Sequence, residues 1–112
     1  MAKNYIVNWS NSAENDLNEI IEYIAEDNID KALEIFYALK NETDKLYKFP
    51  IKGRKVPELL IHNIEKYREI IFKPWRIIYI INDLEVKIIS VIDGRRNVED
   101  ILLKKLLEGN MQ

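Results

Sequence analysis

Three runs of β-branched and aromatic residues, separated by short connections, dominate the second half of the sequence. They cover residues 66–72, 75–81 and 85–92. Lys73-Pro74 separates the first two runs, and Asn82-Asp83-Leu84 separates the second from the third. Because a parallel crossover needs a dozen or more residues, these connections allow only antiparallel hairpins. The sequence therefore predicts a three-stranded meander, around which the other elements must pack.

Two amphipathic helices precede the predicted meander. Apolar residues recur at helical spacing from Ala13 to Ile24, with Ser10 or Ser12 as a candidate N-cap. After a short polar break the spacing resumes at Ala32, and it ends at Phe49-Pro50, because the residue before a proline disfavours the helical conformation. We expect these two segments to form an α-hairpin.

The remaining segments complete an α+β order in a single domain covering residues 1–112. Residues 5–9 have strand composition, 50–63 read as a loop, and Asn97 is a candidate cap for a last, short helix. The predicted order is strand, helix, helix, loop, three strands, helix. We expect the helical hairpin to pack on one face of a small, mostly antiparallel sheet. The pattern alone does not identify the partner of the first strand.

The composition excludes several kinds of chemistry. The chain has no cysteine and one histidine, so disulfides, thiolate nucleophiles and cysteine-based zinc sites are ruled out, and we expect neither a metal nor a cofactor. No apolar stretch reaches the roughly 20 residues that span a bilayer, and no secretory signal is present. We therefore expect a cytoplasmic protein without a membrane partner.

Charge is distributed unevenly along the chain. Acidic residues outnumber basic ones two to one in the first fifty residues, whereas cations concentrate between Lys52 and Arg76. A local cationic surface attracts nucleic acid or an acidic protein through its field. The alternative interpretation is a solvated loop and sheet edge.

Arg68 and Arg76 each interrupt an otherwise apolar strand. A guanidinium in such a position needs a carboxylate, a phosphate or open solvent on its side of the sheet. Glu65 and Glu69 are nearby candidates for a carboxylate partner. Each arginine is thus either a structural ion pair or part of a functional site.

The hairpin register decides whether the two arginines share a face. A two-residue connection sets Arg68 opposite Tyr79, and a three-residue connection sets it opposite Ile80. Only the second arrangement places Arg68 and Arg76 on the same face. Both registers are compatible with the sequence.

The tetrad Asp93-Gly94-Arg95-Arg96 lies where the last predicted strand ends and the last helix begins. Adjacent arginines in a turn at a sheet end offer planar, bidentate donors to phosphates or carboxylates. Paired arginines in a loop are also commonly just solvated. The tetrad is therefore a candidate binding site that requires support from elsewhere in the chain.

Other polar and aromatic residues have simpler interpretations. His62 has no second histidine and no carboxylate at a fixed spacing, so an ordinary loop position is favoured over acid–base catalysis. Tyr67, Phe72, Trp75 and Tyr79 fall on the meander. Core packing and cross-strand pairing account for these aromatic residues, with base stacking as the minority interpretation.

Taken together and in order, these motifs resemble the RelE/ParE toxin superfamily of type II toxin–antitoxin systems. The resemblance runs from about Tyr5 to Leu107 and is carried by residues 5–10, Ala13-Glu14, residues 24–28, Phe49-Pro50, Gly53-Arg54, residues 67–70, residues 74–79 and Gly94-Arg95-Arg96. It implies a helical hairpin on a small sheet, growth inhibition, plasmid stabilization, and neutralisation by an antitoxin encoded by an adjacent gene. Operator DNA would be bound only through that antitoxin.

The superfamily contains two activities. RelE-like members are endoribonucleases (mRNA interferases) that cut mRNA in the ribosomal A site, and the resemblance would then give Arg68, Arg76, Arg95 and Arg96 catalytic roles. This sequence departs from that branch: it has leucines near the C-terminus where ribonucleases tend to have Tyr or His, and Asp93 where many relatives have His.

ParE-like members block DNA gyrase and need no nuclease constellation. The long helical hairpin and the Gly94-Arg95-Arg96 ending resemble that branch, so we favour a gyrase inhibitor, with the same four arginines binding the target. A non-toxic, antitoxin-binding module is a third possibility.

An antitoxin that wraps the toxin would need an exposed apolar groove. We expect that groove along the sheet and the two N-terminal helices, with Tyr37, Leu39 and Ile101 as contributors.

Overall fold

Residues 4–112 are described by a computed structural model. They form a five-stranded sheet flanked by helices. The elements in chain order are β1 (Ile6–Trp9), α1 (Asn11–Ala25), α2 (Ile29–Asp44), β2 (Arg54–Lys55), α3 (Pro57–Leu60), β3 (Tyr67–Phe72), β4 (Trp75–Asn82), β5 (Glu85–Asp93) and α4 (Val98–Leu107). Short 3₁₀ turns at Lys45–Tyr47 and Pro50–Lys52 lead from α2 into β2.

The sheet has the strand order β1-β5-β4-β3-β2. The pairs β2–β3, β3–β4 and β4–β5 are antiparallel, which confirms the predicted meander and the α+β class. β1 lies parallel to β5, with Ile6 opposite Glu85. β2 was not predicted: its two residues, Arg54 and Lys55, are too few to show the alternation that identifies a strand.

The helical hairpin packs on one face of the sheet, as predicted. Ser10 rather than Ser12 caps α1, its Oγ accepting a hydrogen bond from the Ala13 amide at 3.1 Å, and Asn28 caps α2 in the same way. The apolar stripes of both helices meet the strands in one buried cluster, which includes Ala13, Leu17, Leu39, Ile77, Tyr79 and Ile88. Burial of these apolar side chains is the main force that holds the hairpin to the sheet.

A second apolar layer covers the opposite face. Here α3, α4 and the C-terminal segment pack on the strands through Val56, Leu59, Leu102 and Met111, against Tyr67, Ile78, Ile80 and Ile89. Side chains of β5 contribute to both apolar layers, and the register between β4 and β5 shifts between Ile78 and Tyr79. The sheet is therefore buried on both sides in its central strands.

The edge of β5 is closed by side chains where β1 ends. β1 pairs with β5 only as far as Ile88, so the residues beyond it would present unpaired amides. Asp16 of α1 accepts hydrogen bonds from the Val91 amide at 3.0 Å and the Ser90 hydroxyl at 2.7 Å. Lys105 of α4 contacts the same carboxylate at 3.0 Å. One carboxylate thus joins the sheet edge to helices from both layers.

A buried phenol anchors the segment that leads into β2. The Tyr79 hydroxyl donates to the Pro50 carbonyl at 2.6 Å and accepts from the Gly53 amide at 3.0 Å. Burial raises the pKa of Tyr79, so the phenol remains a neutral donor. A β-carbon at Gly53 would collide with the Glu69 carbonyl and the Tyr79 hydroxyl, which leaves glycine as the residue that fits.

Within residues 4–112, no helix combines the length and the apolar character needed to cross a membrane.

Replacing Tyr79 with Phe should lower the free energy of unfolding by about 1–3 kcal/mol, because the Gly53 amide and the Pro50 carbonyl would lose a buried partner. Urea denaturation measures this change. The matched control is Tyr37→Phe, since the Tyr37 side chain is 67% exposed and its variant should unfold like the wild type. Equal stability of Tyr79→Phe and wild type would show that the phenol does not anchor the segment.

Candidate functional site

Arg76 is enclosed by carboxylates on the face of the sheet that carries α3 and α4. Its Nε donates to Glu69 at 2.7 Å, its Nη1 to Glu58 at 2.7 Å, and its Nη2 to Glu58 at 2.6 Å and Glu69 at 3.0 Å. The Arg54 Nε donates to the second Glu69 oxygen at 2.7 Å. We call Arg54, Glu58, Glu69 and Arg76 the carboxylate cage.

The cage joins four elements. Arg54 lies on β2, Glu58 on α3, Glu69 on β3 and Arg76 on β4. Bidentate hydrogen bonds from Arg76 lower the pKa of Glu58, and contacts with Glu58 and Glu69 raise the pKa of Arg76. Glu58 and Arg76 therefore stay charged at neutral pH, and the Arg76 side chain is only 10% exposed. Little of this guanidinium is left for contact with another macromolecule.

One of the two carboxylates expected near the strand arginines is in the cage and the other is not. Glu69 pairs with Arg76, as predicted, whereas Glu65 contacts Lys55 at 3.5 Å. Glu58 was missed by the sequence reasoning. It lies in a segment read as a loop, and only the formation of α3 turns its side chain toward Arg76. The sequence signal for Glu58 was Arg76 itself, because an arginine inside an apolar strand needs a carboxylate, a phosphate or open solvent on its side of the sheet.

Arg68 lies on the opposite face from Arg76. The hairpin has the two-residue connection, with Arg68 opposite Tyr79 and Ile71 opposite Arg76. Of the two registers that the sequence allowed, the structure has the one that separates the arginines. Arg68 donates from Nη1 to the Gly53 carbonyl at 2.8 Å, so it helps to hold the segment entering β2.

The segment Asp93-Gly94-Arg95-Arg96, which we call the arginine turn, follows β5 at one end of the sheet. The Gly94 amide donates to the Pro74 carbonyl at 2.8 Å, which docks the turn on the β3–β4 connection. Asp93 accepts from the Arg95 amide and Nε, both at 2.9 Å, and from Nη2 at 2.6 Å. The Arg95 side chain is nevertheless 78% exposed. The turn therefore presents an oriented guanidinium to solvent.

The contacts of the arginine turn also fix its charge. Hydrogen bonds from Arg95 lower the pKa of Asp93 to about 2, so this carboxylate remains ionised near neutral pH and is a weak base. Arg96 is exposed and forms no ion pair with any residue between 4 and 112. The turn is suited to binding an anionic group rather than to transferring a proton.

A groove of about 690 Å³ lies between the helical hairpin and this end of the sheet. Its apolar lining comes from both helices and from the strands: Ile20, Ile24, Ile35, Trp75 and Val91. Its charged residues are Asp16, Glu19, Lys31, Asp93, Arg95 and Arg96. The arginine turn therefore forms part of the rim of an apolar groove.

The expectation of a groove at the helical hairpin is confirmed, but the residues named for it were wrong. Leu39 is fully buried in the core between the helices and the sheet. Tyr37 is exposed but does not line the groove, and Ile101 packs on the core of the opposite face. Helical periodicity shows which stripe is apolar, but it does not show which end of the stripe the sheet leaves uncovered.

The remaining candidates have structural roles. His62 follows α3, and its Nε2 lies 3.0 Å from a Glu99 oxygen on α4. Tyr67 and Tyr79 are buried, and the Phe72 and Trp75 rings are stacked with their centroids 6.4 Å apart. Core packing and cross-strand pairing therefore account for these aromatic side chains. No cluster of metal-ligating side chains occurs in the part of the chain that the structure describes.

The sequence and the fold were compared with those of known proteins. No curated protein matches the sequence. The fold is similar to a chain of the chromosomal ParDE toxin–antitoxin system from P. aeruginosa, with a TM-score of 0.65 and 17% identity over 80% of this chain and 95% of that one. It is also similar to a chain of the toxin–antitoxin complex RelBE2 from Mycobacterium tuberculosis, with a TM-score of 0.61 and 19% identity over 81% and 92%.

The family of the chain is shown by its sequence. Residues 7–98 match the family described as the ParE toxin of the type II toxin–antitoxin system parDE. The match extends from β1 to the start of α4, and so it includes the helical hairpin, the carboxylate cage and the arginine turn. The chain therefore belongs to the ParE toxin family of type II toxin–antitoxin systems.

Proposed function

We propose that this protein arrests growth by inhibiting DNA gyrase in the cytoplasm, without cutting RNA, and that a cognate antitoxin encoded by an adjacent gene neutralises it. The observation that carries the proposal is the arginine turn. It presents guanidinium groups at the rim of an apolar groove, and the carboxylate in contact with Arg95 is Asp93, whose pKa is about 2.

Cleavage of RNA requires a base for the ribose hydroxyl and an acid for the leaving oxygen, beside cations that stabilise the phosphorane. Asp93, the carboxylate in contact with Arg95, is too weak a base because its pKa is about 2. Arg76, which that chemistry would need as a free cation, is held in the carboxylate cage. These contacts favour a binding function over a nuclease.

We assign the contact with the target to Arg95 and Arg96. Their side chains are exposed, and Asp93 orients Arg95 without covering it. Arg96 has no carboxylate within ion-pair distance among residues 4–112, which suits it to an acidic surface of the target. Arg68 and Arg76, also candidates from the sequence, support the fold on which the turn rests.

The groove is suited to the antitoxin. Its apolar floor would receive the apolar side of a segment that folds on binding, and the cations of its rim would pair with acidic residues of that segment. A segment in the groove would also cover the arginine turn, since Arg95 and Arg96 line the rim. Neutralisation would then follow from occlusion of the target-binding residues.

The double variant Arg95→Ala/Arg96→Ala should lose inhibition of gyrase-catalysed supercoiling by at least about tenfold, because two exposed charged contacts with the target are removed. The assay uses purified gyrase and relaxed plasmid. Unfolding should change by less than about 0.5 kcal/mol, as for other surface substitutions. Lys104→Ala, an exposed cation of α4, is the control and should inhibit fully. Cutting of ribosome-bound mRNA by the wild type, lost in the double variant, would contradict the proposal.

Arg76→Ala should destabilise the fold by about 3–5 kcal/mol, because it removes two hydrogen bonds from the buried Glu69, leaving its contact with Arg54, and removes the bidentate contact of Glu58. Arg76→Lys should recover part of that loss but not the bidentate geometry. Denaturant unfolding gives both values, with Arg96→Ala as the exposed control. An Arg76→Ala protein that is as stable as wild type but inactive would instead place this guanidinium at the target.

Ile24→Glu should weaken binding of the antitoxin, taken as the product of the neighbouring short gene, by at least about tenfold, since a charge would enter the apolar floor of the groove. Titration calorimetry measures the affinity. Ile29→Glu is the matched control because Ile29 is 68% exposed on α2 and does not line the groove. Equal antitoxin affinities of the two variants would exclude the groove as the main contact.

A further inference from the structure

The segment Tyr47–Lys55, which we call the 47–55 loop, alternates exposed apolar and cationic side chains. Phe49 is 68% exposed, Ile51 70% and Tyr47 42%. The side chains of Lys48, Lys52, Arg54 and Lys55 are also exposed. The loop contains no acidic residue, although the chain as a whole has a net charge of -2. It is therefore a local cationic and apolar surface on an acidic protein.

The backbone of the loop is held rigidly from below. Besides the two hydrogen bonds with the Tyr79 hydroxyl and the Arg68 contact with the Gly53 carbonyl, the Tyr5 amide donates to the Tyr47 carbonyl at 2.8 Å. Pro50 and Gly53 are buried. The backbone of the loop is thus hydrogen-bonded to the rest of the fold, while the side chains of Phe49 and Ile51 are exposed to solvent. A preorganised surface of this kind loses little conformational entropy when it binds a partner.

The charges of the loop are only partly compensated. Arg54 contacts the buried Glu69, which also serves Arg76, and Lys55 lies 3.5 Å from Glu65. Lys48 and Lys52 form no ion pair within residues 4–112, although the Lys48 Nζ lies 5.6 Å from the centre of the Tyr47 ring. Internal pairing does not account for this concentration of cations, and core packing does not account for Phe49 and Ile51.

We propose that the 47–55 loop binds single-stranded DNA. Its lysines and Arg54 would contact successive phosphates, and an unpaired base would stack on Phe49. Exposed aromatic rings favour a single strand over a duplex, because the bases of a duplex are already stacked on each other. The choice of DNA over RNA rests on the proposed action at DNA gyrase. The loop shares no residue with the arginine turn or with the lining of the groove.

The test is fluorescence anisotropy of a labelled 12-nucleotide oligodeoxythymidine titrated with the purified full chain. The affinity should fall as salt is raised. Phe49→Ala should weaken binding by about tenfold through loss of stacking. Lys48→Gln/Lys52→Gln should reduce the slope of log affinity against log salt by about 1.4, the value for two phosphate contacts with a single strand. Tyr37→Ala and Lys104→Gln are the controls outside the loop and should bind like wild type.

Several results would overturn the proposal. These are no binding at low salt, equal binding by Phe49→Ala and Tyr37→Ala, tighter binding of a duplex of the same length, at least tenfold tighter binding of oligouridine, or binding only to anionic phospholipid vesicles. Circular dichroism of each variant separates loss of binding from loss of fold. Supercoiling inhibition is measured in parallel. A wild type that binds the oligonucleotide but leaves gyrase active would refute the proposed function and not this inference.

Discussion

The ion-pair contacts of Arg76 are the constraint on which the rest of this structure depends. One guanidinium joins β4 to β3 and α3, and through the shared Glu69 it also joins Arg54 of β2. Burying the charges of Glu69 and Arg76 is unfavourable unless they are paired, and here the Arg76 Nε, Nη1 and Nη2 all donate to carboxylate oxygens. No buried side-chain polar atom among residues 4–112 lacks a partner. The cage therefore joins a two-residue edge strand and a four-residue helix to the central strands of the sheet.

This arrangement separates the arginines that hold the fold together from those that are exposed to solvent. Arg68 and Arg76 lie on opposite faces of the hairpin. Arg68 donates a hydrogen bond to the Gly53 carbonyl, and Arg76 donates to the carboxylates of the cage. Arg95 and Arg96 lie at the sheet end and remain exposed. The 47–55 loop is arranged in a similar way. The buried Tyr79 hydroxyl holds its backbone, while the Phe49 and Ile51 side chains are exposed. Rigid support beneath exposed charge is what a surface needs in order to bind without reorganising.

Much of the fold was predictable because it is governed by local patterns. Apolar alternation and short connections predicted the meander, and the helical periods with Ser10 and Asn97 predicted the helices and the starts of α1 and α4. The predicted end of the second helix at Phe49-Pro50 was wrong, because α2 ends at Asp44 and a 3₁₀ turn follows it. The site was less predictable, since it depends on contacts between residues far apart in sequence. Glu58 meets Arg76 only after α3 has formed, and the two registers of the hairpin differ by one residue in the connection. Leu39 and Ile24 have the same character on the sequence, but one is covered by the sheet and the other faces the groove.

A double-mutant cycle between Arg76 and Glu69 tests the central claim most directly. Unfolding free energies are measured for Arg76→Met, Glu69→Leu and the double variant, together with supercoiling inhibition by each. We predict a coupling energy of about 2–3 kcal/mol, at the upper end for contacting residues, and a double variant that folds and still inhibits gyrase. A coupling energy near zero would contradict the structural role of the cage. A folded double variant without activity would show that Arg76 or Glu69 is needed at the target as well as in the fold.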